Sequence, residues 1–212
     1  MITAVIFDID GVLLDSFESN LEFYERLFET LGHTPPSRDF LRENHHMSIW
    51  EMITAITGVT DEATKKEMMK EAYKLDYQTE YPLKLTEGAA EVISTLASEY
   101  KLGIASSRQS YALFEGELAD CKELFSCAVG FEDTKNHKPH PEPLLCVAEG
   151  LQVKPEECVY IGDMPTDIEA ASKAGMYSIH FTDSPDERAT FHTGDFSVIP
   201  DLVRQLSTKG VD

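Results

Sequence analysis

The chain of 212 residues is poor in basic residues and contains no long apolar run. Its 18 lysine and arginine residues stand against 38 aspartate and glutamate residues, which gives a formal net charge of −20. Nucleic acids and anionic membranes bind clusters of Lys and Arg, so this charge balance argues against both as partners. A helix that crosses a bilayer needs about 20 consecutive apolar residues. We find no such run, and we expect a soluble protein.

Cysteine is scarce as well, and the N-terminus lacks the pattern of a secretion signal. The four cysteines form no Cys-x-x-Cys pair and have no metal-type spacing with histidine. Residues 2–7 resemble a β-strand rather than a basic region followed by an apolar segment. These features predict free thiols in a reducing compartment, and therefore a cytoplasmic location. The oligomeric state stays open between a monomer and a homodimer.

Strand-like runs alternate with helix-like segments over most of the chain. The runs are residues 3–8, 102–106, 128–131, 159–163 and 177–181. The intervening helices are predicted over residues 87–100, 141–150 and 165–175. Strands that alternate with helices form right-handed βαβ units around a parallel sheet. We therefore predict an α/β fold, a doubly wound parallel (Rossmann-like) core of three layers with helices on both faces of the sheet.

The segment after the first strand has a different pattern. Apolar residues from Phe17 to Leu31 recur at helical spacing, and Gly32 ends that helix. Further helices are predicted over residues 37–44, 48–57 and 61–77. The whole block is predicted to be helical, without a strand. We predict a small all-helical cap over residues 16–81, inserted after the first strand of a catalytic core that comprises residues 1–15 and 82–212.

Polar residues follow the predicted strands at the end of a parallel sheet where ligands bind. Taken singly, each has a simple structural explanation as a turn residue, a helix cap or a loop lysine. Together they place several carboxylates, a lysine and an arginine on one rim of the sheet. Like charges this close repel each other and need a positive partner. In chain order these residues are Asp8 and Asp10, then Ser106, Ser107 and Arg108, then Lys138, and finally Asp163 and Asp167.

With these motifs, the chain resembles the haloacid dehalogenase superfamily of phosphotransferases over almost its whole length. The helical insert is typical of the subfamily with a helical-bundle cap, and phosphoglycolate phosphatase-like enzymes are the nearest look-alikes. Four motifs carry the resemblance: Asp-x-Asp-Gly from Asp8 to Gly11, the strand-ending Ser106, the pair Lys138-Pro139, and Gly-Asp-x-x-x-Asp from Gly162 to Asp167.

The resemblance implies a Mg²⁺-dependent phosphatase, a phosphoric monoester hydrolase that acts on a small phosphorylated metabolite. Asp8 would be the nucleophile that forms an aspartyl-phosphate, and Asp10 the general acid and base. Ser106 and Lys138 would be the other catalytic residues. A phosphomutase of a sugar phosphate remains the alternative, because it shares the same core chemistry. The metal ligands that the resemblance implies are Asp8, Asp10, Asp163 and Asp167.

Substrate-binding residues are predicted in two places. Ser107 and Arg108 follow Ser106 closely enough to contact the phosphate or the leaving group. In the predicted cap, Arg42 could meet a carboxylate or a second phosphate of the substrate, although a surface salt bridge fits it equally well. The other candidates in the cap are His45 and His46, for which an ordinary surface position is the competing interpretation.

Overall fold

The computed structural model describes residues 1–44, 47, 49–72, 81–183 and 186–209. The chain forms two compact units. The first comprises Met1–Asp15 and Leu83–Asp212, and the second, Ser16–Pro82, interrupts it in sequence. Among the described residues, no helix is both long enough and apolar enough to span a bilayer.

A six-stranded parallel sheet forms the centre of the first unit. Its strand order is β5-β4-β1-β6-β7-β8, so that β4 and β6 flank the central strand β1. The two remaining strands, β2 and β3, form a short antiparallel pair next to the points where the chain leaves for the second unit and returns. The strands are β1 (Ala4–Phe7), β2 (Leu14–Asp15), β3 (Lys84–Leu85), β4 (Lys101–Ala105), β5 (Phe125–Val129), β6 (Cys158–Gly162), β7 (Tyr177–Phe181) and β8 (Phe191–Thr193).

Helices cover both faces of this sheet. Successive side chains of a strand point to opposite faces, and β1 therefore contributes to two apolar clusters. Val5 and Phe7 pack with α5 and α8, whereas Ala4 and Ile6 pack with α6 and α7. The predicted three-layer α/β fold is thus confirmed. The helices of this unit are α5 (Ala89–Ala97), α6 (Glu142–Gly150), α7 (Pro165–Ala174) and α8 (Ile199–Lys209).

The second unit has an apolar core of its own. Leu21 and Phe28 of the first helix pack with Leu41 of the second and with Met52 and Ile53 of the third. These residues are spaced so that one face of each helix is apolar. The predicted helix over residues 61–77 is described as far as Ala72, and residues 73–80 lie outside the described part of the chain. The helices are α1 (Phe17–Thr30), α2 (Arg38–Glu43), α3 (Ile49–Thr57) and α4 (Glu62–Ala72).

Candidate active site

The carboxyl ends of neighbouring strands bring the first site residues together. Asp8 directly follows β1 and is only 7% exposed. Its backbone N–H donates to the carbonyl of Ile161 in β6, and its Oδ1 accepts from the N–H of Ile9 at 2.8 Å. Ser106 follows β4 and is also buried. Because β4 and β6 lie on either side of β1, the parallel topology sets these residues at one edge of the sheet.

Lys138 joins the two motifs that lie farthest apart in sequence. Its Nζ atom lies 2.8 Å from Oδ2 of Asp8 and 2.7 Å from Oδ1 of Asp167. A third contact, at 3.0 Å, connects Nζ to the hydroxyl of Tyr160. The Lys138 side chain is 7% exposed and that of Asp167 is 1% exposed. An ammonium group has three N–H donors, and all three have an acceptor here.

Three carboxylates converge around this lysine. Asp8, Asp163 and Asp167 each offer an oxygen, and these oxygens all lie within 4.8 Å of one another. Burial raises the pKa of Asp8 to about 7, although Lys138 acts in the opposite direction. Burial and the charges of Asp167 and Asp8 raise the pKa of Asp163 well above its usual range. One lysine therefore does not balance the site, and a hard divalent cation that prefers oxygen ligands fits this donor set.

Lys138 keeps its charge in this environment. Burial by itself would lower the pKa of Lys138, but the carboxylates of Asp167 and Asp8 outweigh it and raise that pKa well above its usual value.

Gly11, behind the first motif, has a φ of +71°, and a Cβ atom there would collide with the carboxylate of Asp163. A glycine is therefore required both by the backbone turn and by the close approach of Asp163.

The Asp10 carboxylate is not one of the three clustered carboxylates, and it forms a two-point ion pair with Arg108. Nε of Arg108 donates to Oδ2 of Asp10 at 2.9 Å, and Nη2 donates to Oδ1 at 2.7 Å. Glu115 accepts from Nη1 of the same guanidinium at 3.2 Å. Burial opposes the charge of Arg108, but the pairing with Asp10 raises the pKa of Arg108 overall. Arg108 therefore stabilises Asp10 as an anion.

The predicted substrate-binding residues have different surroundings. The backbone N–H of Arg108 donates to Oγ of Ser106 at 3.2 Å, whereas Ser107 is exposed. In the second unit, Arg42 is 44% exposed and forms ion pairs with Glu18 and Asp39, so the salt-bridge interpretation describes it in this structure. The candidates His45 and His46 lie outside the residues that the structure describes.

Two polar residues at the site escaped the sequence analysis, Tyr160 in β6 and His180 in β7. The Tyr160 hydroxyl accepts from Lys138 and lies 3.0 Å from the carbonyl oxygen of Ala105. Nδ1 of His180 accepts from the backbone N–H of Asp186, so Nε2 carries the proton and donates to the carbonyl of Asp163 at 2.9 Å. The sequence did contain a signal for both residues, because a Tyr and a His lie inside apolar strand segments. Buried polar groups need hydrogen-bond partners, so such residues indicate a polar contact in the core.

Known proteins resemble this chain in sequence and in fold. The family model of haloacid dehalogenase-like hydrolases matches residues 5–181. The chain belongs to the haloacid dehalogenase-like hydrolase family. The resemblance that the motifs predicted is thereby confirmed, and the acidic cluster agrees with the divalent metal that this family generally uses.

Relatives of similar length cover most of the chain. The phosphorylated carbohydrates phosphatase of Thermotoga maritima is 32% identical over 184 residues, which span 84% of this chain and 83% of that protein. The pyrophosphatase PpaX of Bacillus cereus is 30% identical over 82% of this chain and 80% of its own length. A crystal structure of a subfamily IA hydrolase from Geobacter sulfurreducens superposes with a TM-score of 0.69 at 31% identity, over 95% of this chain and 96% of that one.

Proposed function

We propose that this protein is a Mg²⁺-dependent phosphatase that hydrolyses a small phosphorylated metabolite through a phosphorylated Asp8. The observation that carries the proposal is the buried Lys138 ammonium between Asp8 and Asp167, with the carboxylate of Asp163 in the same cluster. A carboxylate and a phosphate ester are both anions, so an attack by Asp8 requires positive charge at the site. The phosphatase and pyrophosphatase relatives support the same class of reaction.

The chain's own residues can carry out both halves of the reaction. An Asp8 oxygen forms a bond to phosphorus while the ester P–O bond breaks, and Asp10 gives its proton to the departing alkoxide. Asp10 then removes a proton from water, the water oxygen attacks phosphorus, and the bond to Asp8 breaks to release phosphate. Lys138 and the Ser106 hydroxyl would stabilise the phosphoryl oxygens as negative charge spreads over them.

The three clustered carboxylates support an assignment of the cation's ligands. We propose that Asp8, Asp163 and Asp167 provide its carboxylate ligands, and Mg²⁺, when bound, supplies charge that screens Asp8 from the phosphate. The Asp10 carboxylate pairs with Arg108 instead, so its place among the metal ligands stays a prediction.

Asp10 needs a proton before it can act as an acid, and its pairing with Arg108 opposes protonation. We propose that the anionic substrate takes over the Arg108 guanidinium and thereby frees Asp10 for proton transfer. Arg108 has the geometry for this exchange, because a guanidinium binds carboxylates and phosphates through the same two-point contact.

We propose that the two units have different roles, one in catalysis and one in substrate selection. All the residues of the phosphoryl-transfer site belong to the first unit, which we propose is the catalytic core. The second unit would act as the cap that discriminates between substrates, with Arg42, His45 and His46 as its candidate contacts. The cytoplasmic location stays a prediction, and so does the absence of nucleic-acid partners, which rests on the net charge of −20.

The test separates the nucleophile from the acid and base. Asp8→Asn should form no covalent intermediate with any substrate. With p-nitrophenyl phosphate, whose leaving group needs no proton, Asp10→Asn should release a burst of nitrophenolate and then turn over ~10²–10⁴-fold more slowly. Mass spectrometry of acid-quenched Asp10→Asn should find one added phosphate on the peptide that contains Asp8. If both variants were equally inactive and neither carried phosphate, this assignment of roles would be wrong.

A panel of phosphorylated metabolites tests the reaction itself. The wild-type protein with Mg²⁺ should release inorganic phosphate from at least one of them, and Asp8→Asn should release none. Transfer of phosphate between two positions of a sugar phosphate, without release, would instead identify the phosphomutase alternative.

A further inference from the structure

We propose that Tyr160 is a positioning residue whose hydroxyl holds the Lys138 ammonium in line between Asp8 and Asp167. This inference rests on the proposed function, because it concerns the lysine that the phosphatase mechanism uses. Tyr160 is fully buried in β6, the strand next to β1, and none of the predicted motifs includes it.

The phenol oxygen of Tyr160 has three hydrogen-bond partners. Lys138 can only donate, so the Tyr160 oxygen accepts from Nζ at 3.0 Å. The single phenol proton then has two possible acceptors, the Ala105 carbonyl at 3.0 Å and Oδ1 of Asp167 at 3.3 Å. Asp167 already receives the short hydrogen bond from Lys138. The Ala105 carbonyl is the nearer of the two acceptors, so we assign the phenol proton to it.

This pair of hydrogen bonds connects β6 with β4, which are not neighbours in the sheet. Tyr160 is the β6 partner of Ile6 in β1, and both belong to the same apolar cluster. Ala105 ends β4, on the far side of β1. The phenol thus reaches across the central strand and ties Lys138 to the strand end that precedes Ser106. A rotation of the ammonium away from Asp8 would break this connection.

The role belongs to the hydroxyl rather than to the ring. Nζ of Lys138 lies 5.6 Å from the centroid of the Tyr160 ring, within the range of a cation–π contact. Tyr160→Phe keeps that ring and its packing while it removes the phenol oxygen, one of the three acceptors of the Lys138 ammonium. It leaves an N–H of the buried ammonium without its acceptor and the Ala105 carbonyl without its donor.

The experiment is a double-mutant cycle between Tyr160→Phe and Lys138→Met, with p-nitrophenyl phosphate as substrate. Tyr160→Phe should lower kcat by about tenfold or more, while KM changes by less than about threefold. In the Lys138→Met background the same substitution should change kcat by less than about twofold, because the lysine it positions is absent. Tyr177→Phe, at a partly exposed tyrosine of β7, is the matched control and should leave kcat unchanged.

Two results would overturn the inference: full kcat in Tyr160→Phe, or an equal loss of kcat in both backgrounds. The second would mean that the tyrosine acts on the fold or through another residue. Either result would leave the phosphatase proposal intact.

A second readout keeps the inference apart from the proposed function. In urea unfolding with EDTA, the loss of stability caused by Tyr160→Phe should be at least about twofold smaller in the Lys138→Met background. Equal losses in the two backgrounds would reject the Tyr160–Lys138 link. If the wild-type protein released no phosphate from any substrate, the proposed function would fail, and this unfolding cycle would still support or overturn the link by itself.

Discussion

A rise in pH from 5 to 8, with divalent cations removed, should destabilise the folded protein through Asp8. The pKa of Asp8 is about 7 in the folded state, against an ordinary value of 3.8, and burial is the main cause. Between these two values the folded chain holds a proton that the unfolded chain has released. Stability must therefore fall as the pH rises through this range.

The size of the effect follows from the difference between the two pKa values. One pKa unit corresponds to about 1.4 kcal/mol, so a difference of about three units is worth roughly 4 kcal/mol in total. That contribution is fully present below about pH 4 and is lost as the pH passes through 7. The part lost between pH 5 and pH 8 amounts to roughly 2–3 kcal/mol.

Urea unfolding of the wild-type protein and of Asp8→Asn in EDTA, at pH 5 and at pH 8, measures this quantity. The amide is similar in size and does not titrate, so wild type should lose roughly 2–3 kcal/mol more than the variant between the two pH values. Asp120→Asn, at an exposed aspartate, is the control and should behave as wild type does. Mg²⁺ added at pH 8 should restore the stability that the wild-type protein loses at this pH. An identical pH dependence of wild type and Asp8→Asn would refute the conclusion that burial raises the pKa of Asp8.

The remaining predictions concern the metal, the His180 side chain that holds the Asp163 backbone, and the second unit. EDTA should abolish phosphatase activity and Mg²⁺ should restore it, while Ca²⁺ should inhibit because its looser and higher coordination lets Asp8 bind through both oxygens; full activity after thorough metal removal would contradict the metal assignment. His180→Phe removes the donor that holds the Asp163 carbonyl, and calorimetry should find Mg²⁺ binding weakened by ~10-fold or more; unchanged affinity would show that His180 supports only the fold. Substitutions of Arg42, His45 and His46 should alter kcat/KM unevenly between a large metabolite and a small generic ester, and equal effects on both would argue that the second unit does not select the substrate.

Most of the sheet could be predicted because buried parallel strands are nearly continuous apolar runs. β1, β4, β6 and β7 agree with the predicted strands to within a residue or so at each end. The predicted run over residues 128–131 was placed too late, since the strand is Phe125–Val129, an edge strand of mixed polarity whose apolar part lies at its end. The three residues of β8 and the two-residue pair β2–β3 were missed because they are too short to show a period.

The edge of the sheet at which the site residues meet also followed from sequence, since parallel strands that alternate with helices present all their carboxyl ends on one side. This is the reason that Asp8, Ser106 and Asp163 could be grouped although about 150 residues separate the first from the last. What sequence could not supply is the pairing among these groups.

Those pairings depend on distances of a few ångströms between side chains that are remote in the chain. The folded chain reveals three of them: Arg108 pairs with Asp10, Lys138 lies between Asp8 and Asp167, and the Tyr160 hydroxyl accepts from the third N–H of Lys138. The fold and the types of residue at the site could be predicted from sequence, because periodicity and residue type are local properties. Burial and contact decided which carboxylate is held as an anion and which one shifts its pKa to about 7, because the free energy of a charge depends on everything packed around it.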